Sequence, residues 1–420
     1  MVDVRRSDTA AELARLRRQI ASIERRFSKP LVENKPARWF IDEWSEGEVV
    51  RNEFGEHFQT ERLFARHKHH GCADIGALSD LPETLLDVLG ESEVPPAPPA
   101  RWAFLDTETT GLIGVPGTHA FLIGVGRITP EGFRVRQFFM REYAEERSVL
   151  AALEAHLSDF DVLITYNGKT YDQPLLELRY RLRNQPPPFA RLAHLDLLHG
   201  ARRLWKLRFE DCRLMHLEEQ ILGVLREGDL PGEMIPYVYF EYVRSREAQQ
   251  LVPIFHHNAI DVLTLACLTA VVPAAFRDAR AESLAQIGVK RGEDLAGLAR
   301  WLRSAGKHEE SLDLLRQAVD AGLPDKLLFR ALWEIAVLEK KLRRHDASVQ
   351  AFRDLTCSRN EYRSRALEEL AKHYERAEKN YAAALELTEQ ALALDPSPSL
   401  SHRKERLERR IAKMQRTPTA

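Results

Sequence analysis

Two acidic residues, Asp106 and Glu108, follow a short apolar run in the sequence FLDTETTGL (104–112). Alternate side chains of an extended strand project from the same face, so both carboxylates are expected on one side. Neighbouring carboxylates repel each other unless a cation lies between them, and oxygen-only ligands favour Mg²⁺ or Mn²⁺. The pair alone could be the solvated end of a strand. The apolar run before it predicts a buried strand and favours a metal site.

Two further segments each place an acid beside a predicted buried element. In YNGKTYD (166–172), Asp172 begins a predicted helix after a glycine-containing turn, where it could also be only a helix cap. In HHNAID (256–261), Asp261 precedes an apolar stripe that predicts a helix packed on a sheet. Four residues advance a helix by about 400°, so His257 is expected on nearly the same face as Asp261. Three acid-bearing segments together indicate one active site.

The three segments resemble the three motifs of the DEDD 3′–5′ exonucleases, which have an RNase H-like fold. The matching stretches are FLDTETTGL, YNGKTYDQPLL and HHNAIDVLTL. Within that superfamily, residues 100–272 are similar to the YprB-like ribonuclease H-like domain, whose proteins also carry an N-terminal extension and often tetratricopeptide repeats. The resemblance implies two Mg²⁺ or Mn²⁺ ions held by four acids, which are Asp106, Glu108, Asp172 and Asp261.

The resemblance leaves two histidines as candidates for the general base. One DEDD branch has a histidine five residues before the last aspartate, where His256 stands, and the other has a tyrosine four residues before, where His257 stands. We favour His257 because it shares the helical face of Asp261. In addition, Asn258 replaces the alanine that usually accompanies the histidine of the first branch. His256 stays open. Histidine suits the role because its ordinary pKa lies near neutrality.

The chemistry implied is hydrolysis of phosphodiester bonds by a two-metal mechanism, as a 3′–5′ exonuclease acting on single-stranded DNA or RNA ends. An alternative is a catalytically weak RNase H-like module that binds nucleic acid, with helical repeats that recruit a protein partner. Internal cutting is a third mode, since the same acids can serve it. Sequence does not decide between DNA and RNA, because that choice depends on whether the site recognises the 2′-OH.

A basic stretch supports nucleic acid as the substrate class. Residues 179–208 contain eight Lys or Arg residues and one acid, Asp196. Phosphate backbones bind to such surfaces, and Trp205 and Phe209 are candidates for stacking on bases. A solvated helix face with aromatic core residues would give a similar pattern. The residues expected to contact nucleic acid, including polar residues of the first two motifs, are Thr109, Asn167, Lys169, Arg202, Arg203 and Lys206.

The elements that must position these residues indicate an α/β RNase H-like domain with a mixed sheet at 99–275. Its predicted order is three antiparallel strands, a helix, a fourth strand and a second helix, at residues 102–106, 120–126, 133–139, 145–157, 162–166 and 172–182. Residues 280–415 lack strand signals, and small residues recur there at spacings of 36 and 37, namely Ser311, Ala347 and Ala384. This spacing predicts an all-α domain of tetratricopeptide-like repeats.

Residues 1–98 are predicted to form an N-terminal extension. It contains an amphipathic helix at 12–27, short strands within 36–65 and the start of a proline-rich linker at 92–100. The cluster HKHHGCAD (67–74) could bind a metal. A polar turn with satisfied histidines is favoured instead, because no second ligand pair follows at finger spacing.

The composition excludes several classes of protein. The 420 residues suffice for two to four domains, and 61 Lys and Arg against 63 Asp and Glu exclude a bulk polycation. Four widely spaced cysteines without a CxxC pair argue against a disulfide framework or zinc ribbon. The N-terminus has no apolar core of a secretory signal, and no apolar run approaches the roughly 18 residues of a membrane span. We therefore expect a cytoplasmic protein without a membrane partner.

Overall fold

The computed structural model describes residues 41–89, 94–111 and 117–415. These residues form two compact units. The first unit runs to Arg202 and resumes at Asp211–Arg277, and the second comprises Arg203–Glu210 together with the chain from Asp278 onward. The amphipathic helix predicted at 12–27 lies outside the described residues.

The first unit is built on a mixed sheet, as the sequence predicts, and this sheet has seven strands. Its strands are β1 Glu48–Asn52, β2 Gly55–Ala65, β5 Trp102–Thr109, β6 Ala120–Thr129, β7 Gly132–Phe139, β8 Val162–Thr165 and β9 Ala193–Asp196. A separate short hairpin pairs β3 His69–His70 with β4 Ala73–Asp74. The strand order is β1-β2-β7-β6-β5-β8-β9. In this order, each neighbouring pair between β1 and β5 is antiparallel, and the pairs β5-β8 and β8-β9 are parallel. Strand β9 lies inside the basic stretch and was not predicted.

Six helices accompany the sheet within the described residues. They are α1 Glu146–Leu157, α2 Asp172–Leu182, α3 Leu197–Trp205, α4 Leu214–Leu217, α5 Ile235–Ser245 and α6 Val252–Arg277. Helix α3 ends in the second unit. Predicted helices 145–157 and 172–182 thus match α1 and α2 closely, because apolar residues at helical spacing pack both helices against the sheet.

Helix α6 corrects the expectation that no segment is long and apolar enough to cross a membrane. By length and composition, Gln249–Arg277 meets that description, with a mean hydropathy of 2.0, and it is the one such helix in the described chain. In this fold 72% of the 18-residue apolar stretch within this helix is buried. The helix is apolar around its circumference because it packs against β5, β6 and β7 on one side and against other elements of the unit on the other.

The N-terminal segment forms part of the same sheet. Strand β2 pairs with β7 over eight residues, from Phe58 opposite Phe139 to Ala65 opposite Gly132. The end of the proline-rich segment also packs on the unit, because the side chains of Val94 and Ala97 are buried. Residues 48–65 therefore act as an extension of the sheet.

The second unit is helical in its described residues. Its helices beyond the end of α3 are α7 Ala281–Gln286, α8 Gly292–Ser304, α9 His308–Asp320, α10 Asp325–Lys341, α11 His345–Thr356, α12 Arg363–Arg376, α13 Tyr381–Leu394 and α14 Pro398–Gln415.

One contact between helices of the second unit recurs at the predicted spacing. The Ser311 hydroxyl donates to the Ala299 carbonyl at 2.7 Å, and 37 residues later the Ser348 hydroxyl donates to the Ala336 carbonyl at 2.9 Å. The choice of Ala347 as the repeated small residue was wrong by one position. Ala347 is exposed and Ser348 is buried, because the face of α11 that packs on α10 begins at Ser348. The tetratricopeptide-like assignment itself stays a prediction.

Candidate active site

Strand β5 delivers the first two acids at the point where it leaves the core. Its residues from Trp102 to Leu105 are buried, and those from Asp106 onward are half-buried. Asp106 accepts a hydrogen bond from the Asn258 side-chain amide on α6 at 2.9 Å. The intervening Thr107 donates its hydroxyl proton to Asp172, the first residue of α2. The first and second motifs are thus joined directly by a hydrogen bond.

Three of the acids lie in surroundings that disfavour the charged form of the carboxylate. Burial, together with the charges of Asp261, Glu108 and Asp172, raises the pKa of Asp106 well above its usual range. Burial and neighbouring acids also raise the pKa of Glu108 to about 7. Burial raises the pKa of Asp172 to about 6, although the hydrogen bond from Thr107 opposes this shift. We call Asp106, Glu108 and Asp172 the three-carboxylate cluster; it is a place where a cation would relieve repulsion.

Helix α6 brings the third motif to the same place. His257 and Asp261 lie one turn apart, with His257 Nε2 3.5 Å from Asp261 Oδ2. The side chain of His257 is buried, whereas His256 is exposed and its Nδ1 lies 2.8 Å from a guanidinium nitrogen of Arg62. The predicted shared face of His257 and Asp261 is therefore present, and His256 is turned towards β2.

The ring of His257 is held by a residue that the sequence did not point to. Asp229, in the loop between α4 and α5, lies 2.8 Å from His257 Nδ1. Burial favours the neutral ring, but the hydrogen bond to Asp229 and the charges of Asp261 and Glu108 raise the pKa of His257 to about 9. In this arrangement the imidazole carries a proton at neutral pH, which differs from the near-neutral pKa expected of a general base.

Arg226, in the same loop, is the counter-ion of the fourth acid. Its guanidinium contacts Asp261 at 2.5 Å, Glu218 at 2.5 Å and Asp229 at 3.2 Å. The carboxylate of Glu218 is fully buried and also contacts the imidazole of His70 at 3.0 Å. We call Arg226, its three carboxylate partners and His70 the Arg226 network. His70, from the HKHH cluster, therefore has a structural role, because it contacts the buried Glu218 carboxylate that binds Arg226.

A second chain of hydrogen bonds fixes Asn258. The Thr60 hydroxyl on β2 donates to the Gln137 side-chain oxygen at 2.9 Å, and the Gln137 amide donates to Asn258 Oδ1 at 2.8 Å. This leaves the Asn258 amide nitrogen to donate to Asp106. The close approach of α6 to β6 requires a glycine at position 124, since a Cβ there would lie 2.2 Å from Asn258 Oδ1. Asn258, noted from sequence only as a departure from the motif, therefore orients the first acid.

The turn of the second motif lines one side of a cavity of about 280 Å³. Asn167 adopts a left-handed conformation, with φ 66°, and Asp196 accepts hydrogen bonds from the backbone N–H groups of Asn167 and Lys169 at 2.7 and 3.2 Å. Thr109, Asn167 and Tyr171 line the cavity together with Asp106 and Asp172. Lys169 is half-buried and is outside that lining.

Asp196 was counted in the sequence only as the single acid of the basic stretch. It is buried at the end of β9, and it holds the Asn167 turn. An aspartate at the end of a parallel strand beside the second motif would have been the signal, but β9 was not predicted.

The basic stretch is less available than its charge suggests. Four of its arginines have carboxylate partners, at Glu146 or elsewhere; these are Arg179, Arg181, Arg183 and Arg208. The interpretation of Trp205 as a stacking residue is wrong, because its ring is 1% exposed and belongs to the core. Phe209 lies under the Arg208 guanidinium, 4.5 Å from it. Arg202, Arg203 and Lys206 are exposed, and their contact with nucleic acid stays a prediction.

The donor set is suited to a hard divalent cation, although the carboxylates do not already converge. In the portion of the chain that the structure describes, no group of three or more His, Cys, Asp or Glu side chains is arranged to hold a metal ion. The three-carboxylate cluster offers oxygen ligands only, which Mg²⁺ and Mn²⁺ prefer. Asp261 fits less directly, because its Oδ1 is engaged by Arg226.

Comparison with known proteins agrees with the fold and the motifs. Residues 103–272 match a model of the RNase H superfamily. The chain is also 32% identical over 317 residues to the uncharacterized protein YprB of Bacillus subtilis, a match that covers 74% of each chain. RNase H-like proteins are generally nucleases or nucleic-acid-binding proteins and commonly use divalent metals. The chain therefore belongs to the same family as YprB, and its residues 103–272 form an RNase H-like domain.

Proposed function

We propose that the protein is a metal-dependent nuclease of the DEDD type, which acts as a 3′–5′ exonuclease on single-stranded ends. The observation that carries the proposal is the three-carboxylate cluster: all three acids have raised pKa values, and Asp106 and Asp172 line one cavity. Such groups cost stability unless they meet a cation, and perturbed carboxylates in a cleft are typical of functional sites.

Each residue has a defined role in this proposal. Asp106, Glu108 and Asp172 would hold two divalent ions, Mg²⁺ or Mn²⁺, and Asp261 would join them through the oxygen that faces His257. When bound, the ions would supply Lewis acidity to a phosphoryl oxygen and acidify a water molecule. Asn258 and Thr107 keep the carboxylates oriented through the hydrogen bonds that they donate.

His257 would move the proton. Its Nδ1 is held by Asp229, so Nε2 is the atom that faces Asp261 and can exchange a proton with the reacting water. Neutralisation of Glu108 and Asp261 would lower the pKa of His257, because their charges are among the causes that raise it. The His–Asp pair thus resembles in its logic other catalytic histidines whose second nitrogen is fixed by a carboxylate.

The cavity beside the cluster supports a single strand as the substrate. Tyr171, which lines it, is 47% exposed, and an exposed ring next to a catalytic cleft can stack on an unpaired base. Asn167 and Thr109 offer polar groups on the same cavity wall. The polarity of digestion, from the 3′ end, rests on the similarity of the three motifs to DEDD exonucleases.

A second candidate function is a nucleic-acid-binding module with little turnover. The Arg226 network favours it, because Asp261 already has a cationic partner and the pKa of His257 is raised. In either case, a protein partner for the helical unit and a cytoplasmic location are further predictions from the sequence.

The deciding experiment is a digestion assay. The full chain is incubated with Mn²⁺ and with 5′-labelled single- and double-stranded DNA and RNA, and the products are resolved by length. The proposal expects a ladder that shortens from the 3′ end of single strands. Asp106→Asn is the inactive comparison, and Asp159→Asn is the matched surface control, since Asp159 is exposed and pairs only with Arg127 in the described structure. Binding without any shortening would favour the second candidate.

A further inference from the structure

Arg62 is an arginine on β2 whose surroundings differ from those of its neighbours. On the paired strand β7, Arg134 and Arg136 both bind the carboxylate of Glu61, at 2.8 and 2.7 Å. Arg62 alternates with Glu61 and therefore projects from the other face, the one on which Thr60 is linked through Gln137 to α6. Among the described residues no carboxylate forms an ion pair with it, and partial burial lowers its pKa without an opposing acid.

The guanidinium of Arg62 is nevertheless held in one place. One of its nitrogens donates to His256 Nδ1 at 2.8 Å, and its centre lies 4.9 Å from the centroid of the Phe64 ring. An exposed arginine normally loses side-chain entropy when it binds a ligand. The contacts with His256 and Phe64 have already fixed this one.

The position of His256 connects Arg62 to the active site. His256 precedes His257 on α6, and both line a cavity of about 370 Å³ on the side of His257 that carries Arg226. Because Nδ1 of His256 accepts from Arg62, the proton of the neutral ring lies on Nε2, which is then a free donor position. Arg62 retains further N–H groups that no described side chain takes up.

We propose that Arg62 and His256 form a contact site for a backbone phosphate of the nucleic-acid strand, next to the phosphodiester that is cleaved. A guanidinium with unused N–H groups and an imidazole N–H together suit the oxygens of a phosphodiester. The inference rests on the proposed function. Arg62 lies outside residues 103–272, which match the superfamily model, whereas His256 lies inside them, so the N-terminal segment supplies the arginine of this site.

The test compares two single substitutions on the same sheet. Affinity for a labelled single strand is measured against salt concentration in full-length Asp106→Asn protein with Mn²⁺, so that the strand is not degraded. One lost phosphate contact lowers the salt slope by about 0.7 and, at 0.1 M salt, lowers affinity about fivefold. Arg62→Gln should show both effects. The matched control Arg134→Gln, whose arginine is paired with Glu61, should change the slope by much less.

Further arms separate the possible failures. His256→Gln should also weaken binding of the labelled strand. If Arg62→Gln lowers the thermal unfolding midpoint, its binding loss could reflect destabilisation, and His256→Gln then tests the site instead. Arg62→Lys should keep most of the slope but lose affinity. Equal losses in Arg62→Gln and Arg134→Gln, or no change in Arg62→Gln, would overturn the inference while the proposed function stands. Displacement of the strand by inorganic phosphate alone at comparable affinity would also overturn it. Absence of strand binding by the unsubstituted chain would instead overturn the proposed function.

Discussion

The two halves of the candidate active site balance their charge in different ways. In the three-carboxylate cluster, Asp106 and Asp172 have neutral hydrogen-bond donors, namely Asn258 and Thr107. In the Arg226 network, by contrast, Asp261 is paired with a guanidinium. Burial and the neighbouring carboxylates raise the pKa values in the first half, whereas in the second half Asp261 already has a cationic partner within the protein.

The difference between neutral donors and an arginine partner suggests a different role for each half of the site. Neutral donors orient the acids of the cluster without compensating their charge, so its carboxylate oxygens would remain available to an external cation. A carboxylate that has an arginine partner is already stable and serves to position its neighbours, here the imidazole of His257. The four acids of the DEDD pattern therefore need not contribute equally to ion binding, and four experiments measure the inequality.

The largest expected effect is the loss of hydrolysis when the uncompensated half is altered. Asp106→Asn should lower the rate by at least about 10³-fold, because the cluster loses a ligand, while the metal-free protein stays folded since one repelling charge is gone. Digestion assays and thermal unfolding without metal measure both quantities. Asp159→Asn, at the surface, should change neither. Near-normal turnover by Asp106→Asn in Mn²⁺ would show that the cluster is not the metal site.

The next effect concerns the histidine between the halves. His257→Gln should slow hydrolysis by about 10²–10⁴-fold, the usual contribution of a general base. The rate of the unsubstituted protein should rise with pH as His257 loses its proton, and this limb should flatten in the variant. His256→Gln should act mainly through substrate affinity. If His256→Gln instead abolished the pH limb and His257→Gln kept it, the two roles would be reversed.

The compensated half should reveal itself in stability. Arg226→Gln leaves Glu218, Asp229 and Asp261 without their shared cation, and breaking a buried ion pair in this way costs about 3–5 kcal/mol of unfolding free energy. Urea unfolding measures the loss. Arg127→Gln is the control, since its partner Asp159 is exposed, and it should cost less than about 1 kcal/mol. Equal costs for the two variants would mean that the Arg226 network is not a buried counter-ion system.

The smallest effect is a pH dependence of the metal-free protein. The pKa of Glu108 is raised from 4.5 to about 7 in the fold. Between these two values, the folded state holds a proton on Glu108 that the unfolded chain has released. Its contribution is fully present below about pH 4 and is lost as pH rises through about 7, which lowers the unfolding free energy on the alkaline side. Glu108→Gln should remove on the order of 1–2 kcal/mol of that decline between pH 5 and pH 8.

A difference measurement is needed for this last prediction. Burial lowers the pKa values of His57, His156 and His194 to about 4. These three histidines therefore lower the unfolding free energy of the protein as pH falls, which is the opposite direction. Subtracting the curve of Glu108→Gln from that of the unsubstituted protein, both in a chelator, cancels the contributions of these three histidines. Parallel curves would contradict the raised pKa of Glu108.

The sequence was sufficient where local patterns determine the outcome. The run before Asp106 predicted a buried strand that leads to the acids, although the strand itself continues to Thr109, and helical spacing predicted the shared face of His257 and Asp261. The apolar runs of β5 and β6 and the turn signal between β6 and β7 were equally clear. These features depend on residues within a few positions of each other, which is the range over which periodicity carries information.

What escaped prediction depends on contacts between distant segments. Arg226 and Asp229 lie in a loop without a pattern and reach α6, about 30 residues further along. Strand β9 has four residues, two of them half-buried, and was hidden by the charged residues around it. The assignment of Trp205 failed because an aromatic residue beside arginines looks the same whether it faces solvent or the core.

The pairing of β2 with β7 has a consequence for how the chain can be divided. A fragment restricted to 103–272, the region that matches the superfamily, would expose the whole edge of β7, with eight residues whose pairing groups β2 now covers. Buried aromatic residues, among them Phe133, Phe138 and Phe139, line that edge. Unpaired edges of this kind attract other strands, so such a fragment should self-associate, whereas in the longer chain β2 covers β7 and leaves the five-residue strand β1 as the edge.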